Sequence, residues 1–190
     1  MRALKRELAL QVSLLGAFIA LIWALEIVDQ LLFGGALDML GIRPRTLGGL
    51  RGILLAPLLH GGFAHVAANT VPLVVLGWMV MVRDTKDIFV VSAVATVVGG
   101  LGIWLFGGAG SMHLGASILV FGYLGYLLFR GWFDRSVWSM VGSIAVAVLY
   151  GGLVFGVLPG QPGISWEGHL FGFAGGVLAA RMLRKKALRR

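Results

Sequence analysis

Residues 107–129 read GGAGSMHLGASILVFGYLGYLLF, a glycine-rich opening followed by an apolar run that stops at Arg130. The opening has too much glycine for a stable helix, so the span is expected over Ala116 to Phe129. Those fourteen residues, at about 1.5 Å of rise each, reach about 21 Å, short of a hydrocarbon core about 30 Å thick. A helix of that length starts inside the membrane, behind irregular backbone that is tolerated only when packed in protein or facing water. Ser117 then stands at a helix N-terminus, where free N–H groups and the helix dipole favour negative charge. An oxyanion needs that environment.

The rest of the chain agrees with a membrane setting. Of its 190 residues 58% are hydrophobic and 13% charged, and mean hydropathy is +0.93. Apolar runs place spans at Leu10 to Phe33, Ala64 to Val82, Ile88 to Phe106, Ala116 to Phe129, Val137 to Leu158 and Ser165 to Ala180. Six spans nearly exhaust the chain, so the expected architecture is an all-α, six-helix membrane bundle forming a single domain over 1–190, with no soluble catalytic module. The first run follows basic residues as a signal peptide would, but it is long and lacks a small-residue cleavage site, and is read as a retained helix. Between the first two spans, Gly34 to Gly62 is too apolar for a solvated loop and too broken by Gly and Pro for a helix, so it is placed at the membrane interface. The absence of Cys excludes disulfides and thiol catalysis.

A net charge of +8 and a pI near 10.9 would suggest nucleic acid in a soluble protein, but here the charge sorts by side. Thirteen of the sixteen Lys and Arg fall at residues 1–9, at Arg83 and Lys86, at Arg130 and Arg135, and at residues 181–190. Arg43, Arg45 and Arg51 fall in the first external connection. This bias predicts that both termini are cytoplasmic, with the lipid bilayer as partner and no nucleic acid.

Polar groups inside a membrane are costly, and their depth is informative. Measured from the cytoplasmic charges Arg83, Arg130 and Arg181, the residues Asn69, Ser117 and His169 lie at roughly 21, 20 and 18 Å. Three polar side chains on three spans therefore share one level. His65 and Asn69 are i and i+4, on one helix face. Gly168, Gly172 and Gly176 repeat at four-residue spacing, with Gly122 and Gly125 as a counterpart that would bring the fourth and sixth spans into close contact.

At these residues the sequence resembles the rhomboid intramembrane serine proteases. Three segments carry the resemblance: HGGFAHVAAN from His60 to Asn69, Gly115-Ala-Ser117 opening the short helix, and GHLFGFAGG from Gly168 to Gly176. It covers about residues 43–180. The resemblance implies a serine endopeptidase in which Ser117 is the nucleophile and His169 its general base. Asn69, His65 and the Ser117 N–H would form the oxyanion hole. Gly115, Gly172 and Gly176 would support the site, and Phe121 would pack against His169. Implied substrates are transmembrane segments of other proteins, in a plasma membrane, with a bacterial source suggested by the compact core and with no cofactor. One departure is Ile118, where the family usually has glycine after the serine; a bulky β-branched side chain there is expected to narrow the oxyanion site or alter the helix start, and Ile118→Gly to preserve or raise activity.

An inactive relative that binds transmembrane clients would share the fold without a reactive Ser117. A small transporter would need charge deep in the spans, where there is almost none, and no internal repeat is evident. No HExxH pair exists, and Glu167 is only two residues from His169, so no metal is expected. His60 is read as either loop-stabilising or exposed, His113 as structural, and Glu26 and Asp29 as interfacial groups pairing with loop arginines.

Overall fold

The computed structural model describes residues 1–160 and 163–184. Six long helices among them follow the six apolar runs: α1 Arg2–Val28, α2 Phe63–Met81, α3 Asp87–Phe106, α4 Ser117–Asp134, α5 Val137–Tyr150 and α6 Trp166–Met182. Among the described residues four segments are long and apolar enough to cross a membrane, namely Arg2–Phe33, Phe63–Met81, Asp87–Phe106 and Val137–Val157. Of the other two, α4 is buried along most of its length, and α6 buries the face that carries Gly168, His169, Gly172 and Gly176 while Leu170 and Leu178 stay exposed. Along α4 every residue from Ile118 to Leu127 is buried. Part of the basic C-terminus, residues 185–190, lies outside the described residues.

The boundaries differ from the expectation where charges find partners. The helix opened by Ser117 has 18 residues and continues to Asp134, rather than stopping at Phe129. Arg130 Nε lies 3.3 Å from Asp134 Oδ2, and Arg83 Nη1 3.2 Å from the same oxygen, so the charges that were read as a stop are neutralised within the bundle. Arg83 also donates to the Leu183 carbonyl at 2.7 Å, tying α2 to the end of α6. The N-terminus of α4 falls where the glycine-rich stretch predicts, with Ala116 as its cap residue. The fifth run is helical only to Tyr150 and then tightens into a 3-10 segment, Gly151–Val157.

Close approach of α4 to α6 depends on the glycine stripes. A Cβ on Gly176 would overlap the Gly122 carbonyl, and one on Gly172 would come within 2.6 Å of the Ile118 carbonyl. Backbone therefore rests on backbone, which sets the separation of the helices carrying Ser117 and His169.

Residues 34–62 form a chain of short helical pieces: Ala36–Leu40, Leu47–Leu50, Gly52–Leu55 and Ala56–Leu58. Irregular backbone beside lipid must have its polar groups satisfied. The Arg45 guanidinium donates to the Leu105 carbonyl at 3.0 Å, and Trp104 Nε1 to the Thr46 carbonyl at 2.8 Å. Ile42 and His113 exchange both backbone hydrogen bonds, at 2.8 and 3.0 Å. Glu26 and Asp29 do not pair with loop arginines. Both are buried, and Asp29 Oδ1 instead accepts the Leu37 N–H at 2.9 Å. Buried this way they sit close enough to Asp38 to act on its charge, and burial, then Asp29 and Glu26, raise the Asp38 carboxyl to about 6.

Candidate active site

Ser117 is the opening residue of α4, and Ala116 before it makes no side-chain cap. The turn that delivers it is glycine-dependent: Gly115 has φ +122°, and a Cβ there would meet the His65 ring at 2.7 Å. The backbone N–H of Gly115 donates to the Ala56 carbonyl at 2.8 Å. That of Ala116 donates to His60 Nε2 at 3.2 Å. The connection before α2 thus holds the two residues ahead of Ser117 in place.

Ser117, Asn69, His65, Phe121 and His169 line one cavity of about 590 Å³. The structure therefore brings together the five side chains that the sequence singles out. Ser117 and His169 face this space without a hydrogen bond between them. Such bonds are often long in the absence of substrate.

The ring nitrogens can be assigned from their partners. His169 Nδ1 lies 2.9 Å from the Gly156 carbonyl, which only accepts, so Nδ1 carries the proton and Nε2 keeps its lone pair. The imidazole stacks on Phe121 with centroids 3.9 Å and planes 9° apart. His65 Nδ1 accepts the Gly61 N–H at 3.3 Å, which leaves Nε2 of the neutral ring as an N–H donor against Gly115. Asn69 Nδ2 gives one hydrogen to the His65 carbonyl at 3.1 Å and retains a second. The cavity thus has a basic nitrogen on one helix, a hydroxyl on another, and unused donors on a third.

Ile118 does not narrow this cavity. Its side chain is buried among glycines: a Cβ on Gly99 would meet Ile118 Cδ1 at 2.5 Å, and one on Gly172 would meet its Cγ1 at 3.3 Å. One residue after Ser117, the helical turn of about 100° aims the side chain toward α3 and α6 instead.

Five contributors were not legible as such. His60 is fully buried and supports Ala116; burial, with His65 beside it, pushes its imidazole down to about 4. Its spacing from Asn69 was visible, but its partner was not. The Gly156 carbonyl, which orients His169, has no side-chain signature. Ser111, His113 and Ser165 line the cavity as well.

Residues 48–186 match a family model described as Rhomboid domain. The uncharacterized protein Mb1372 of Mycobacterium bovis is 44% identical over 174 residues, covering 87% of this chain and 72% of that protein. The uncharacterized protein ML1171 of Mycobacterium leprae is 41% identical over 174 residues, 87% of this chain and 68% of that one. A Bacillus subtilis protein named "Putative rhomboid protease YdcA" is 30% identical over 141 residues, 72% of this chain and 69% of its own length.

Proposed function

The chain belongs to the rhomboid family, and from that membership we propose that it is an intramembrane serine endopeptidase acting on transmembrane segments of other proteins. The observation that carries the reading is the state of His169. Its Nδ1–H is committed to Gly156, its ring is held against Phe121, and its Nε2 lone pair is free on the cavity that Ser117 lines.

In this reading Ser117 Oγ attacks the scissile carbonyl carbon while its proton passes to His169 Nε2. The new oxyanion lies among the Ser117 N–H, the spare Asn69 N–H and His65 Nε2–H. The C–N bond then breaks, and the proton on His169 goes to the leaving amine. A water molecule then attacks the acyl carbon as its proton passes to His169 Nε2; the bond from that carbon to Ser117 Oγ breaks, and the same proton returns to Oγ. No cofactor takes part. The protein crosses a bacterial plasma membrane six times with both termini in the cytoplasm, a reading supported by the distribution of Lys and Arg and by mycobacterial relatives.

The test is labelling of purified protein in mild detergent with a serine-reactive fluorophosphonate. Wild type is expected to label, and Ser117→Ala and His169→Ala to lose labelling while keeping wild-type unfolding profiles. Folded wild-type protein that resists the probe would favour a client-binding, inactive relative.

A further inference from the structure

A second Ser–His constellation lies on the rim of the cavity, apart from Ser117 and His169. His113 Nε2 is 2.6 Å from Ser111 Oγ, and His113 Nδ1 is 2.6 Å from Ser165 Oγ. The Ser111 hydroxyl donates to the Gly108 carbonyl at 2.7 Å, so toward His113 its oxygen must accept. Nε2 is then the protonated nitrogen, and Nδ1 receives the hydroxyl hydrogen of Ser165. The His113 backbone is pinned independently by its paired hydrogen bonds to Ile42.

Ser165 stands at the N-cap of α6, where a serine oxygen ordinarily accepts an N–H from the opening turn. Here no such bond forms, and the hydroxyl is committed to His113. The Ser165 carbonyl accepts the His169 N–H at 3.1 Å. Gly168 makes room for the arrangement: a Cβ there would lie 3.1 Å from Ser165 Oγ and 2.9 Å from Ile103 Cδ1. From His113 to the His169 backbone is therefore two hydrogen bonds through one residue.

We propose that His113 is a positioning residue, which through Ser165 sets the start of α6 and so the placement of His169 relative to Ser117. The Gly156 carbonyl fixes the rotation of the His169 ring, and the His113–Ser165 bond fixes the backbone that carries it. The inference rests on the reading of Ser117 and His169 as the reacting pair.

The test compares wild type, His113→Ala, Ser165→Ala, Ser165→Thr and the double Ala variant. Two quantities are read: the fluorophosphonate labelling rate of Ser117, resolved into apparent affinity and maximal rate, and amide hydrogen exchange over residues 165–169. His113→Ala and Ser165→Ala are each expected to lower the maximal rate about 10-fold, with apparent affinity within about twofold of wild type. Ser165→Thr, which keeps the hydroxyl, is expected to stay within about threefold of wild type, and the double variant to be no slower than the slower single. Exchange over 165–169 is expected to quicken in the three Ala variants. Multiplying losses in the double variant, or full labelling despite quickened exchange, would overturn the proposal. If wild type does not label, the catalytic reading fails by itself. Exchange then decides separately: quickening in Ser165→Ala upholds the His113–Ser165–His169 linkage, and unchanged exchange overturns it.

Discussion

The imidazole of His169 lies face to face with the ring of Phe121, centroids 3.9 Å and planes 9° apart. Phe121 is one helical turn beyond Ser117 on α4, so the stack joins the helix that carries Ser117 to the helix that carries His169. Gly156 packs against the edges of both rings, since a Cβ there would strike Phe121 Cζ at 2.8 Å and His169 Nδ1 at 3.2 Å. With one face on Phe121 and its Nδ1–H on the Gly156 carbonyl, the imidazole is fixed both in tilt and in rotation.

Removing the aromatic face frees the imidazole. Phe121→Ala is expected to slow fluorophosphonate labelling of Ser117 about 10- to 100-fold, because a small misplacement of a base is costly. Phe121→Tyr, which preserves the face, is expected to stay within about threefold. Equal rates for Phe121→Ala and wild type would dismiss the stack as an orienting contact.

Ile118 is a packing residue. Ile118→Gly removes a side chain lodged between Gly99 and Gly172 and leaves a void, so it is expected to destabilise the protein by about 3 kcal/mol. A lowered unfolding midpoint in detergent, with no gain in labelling, is the expected result. Faster labelling at unchanged stability would restore the view that Ile118 crowds the cavity beside Ser117.

Two glycines of similar sequence context should respond with opposite signs. Gly176→Ala places a methyl on the Gly122 carbonyl and is expected to lower the unfolding midpoint sharply. Gly142, within α5, has nothing within 4 Å of a new Cβ, so Gly142→Ala is expected to stabilise by up to about 1 kcal/mol. Thermal unfolding of the two variants side by side checks both signs.

Stability should respond to mild acid through His60. The unfolded chain takes up this proton below about 6.5, the folded one only near 4, because the ring is buried and has His65 beside it. The stability from keeping His60 neutral is therefore complete above 6.5 and is lost as pH falls from 6.5 toward 4. Asp38 works in the opposite direction: with its carboxyl raised from 3.8 to about 6, its contribution is present at low pH and is lost as pH rises through that window. Unfolding midpoints between about pH 4.5 and pH 6.5 should fall more steeply on acidification in Asp38→Asn and less steeply in His60→Gln. A slope unchanged in both variants would remove these two groups from the acid response.

The membrane class, the six helical runs and the residues gathered at one depth are legible in the linear sequence, because each depends on local quantities. Hydropathy locates the runs, a fixed rise per residue turns sequence distance into depth, and i, i+4 spacing puts His65 and Asn69 on one face. The glycines of α6 announce a close approach for the same reason, since a missing Cβ is visible in the residue name. What needed the folded chain were relationships between segments far apart in sequence. Charge near Arg130 reads as a helix stop until Arg83, 51 residues away, neutralises Asp134 and lets α4 run on. Ile118 reads as an obstruction until the rotation of α4 against Gly99 and Gly172 shows where its side chain goes. The Gly156 carbonyl that orients His169, and the Ser165 hydroxyl turned from its own helix toward His113, have no sequence signature. A backbone acceptor belongs to every residue, and only packing decides which one meets a histidine.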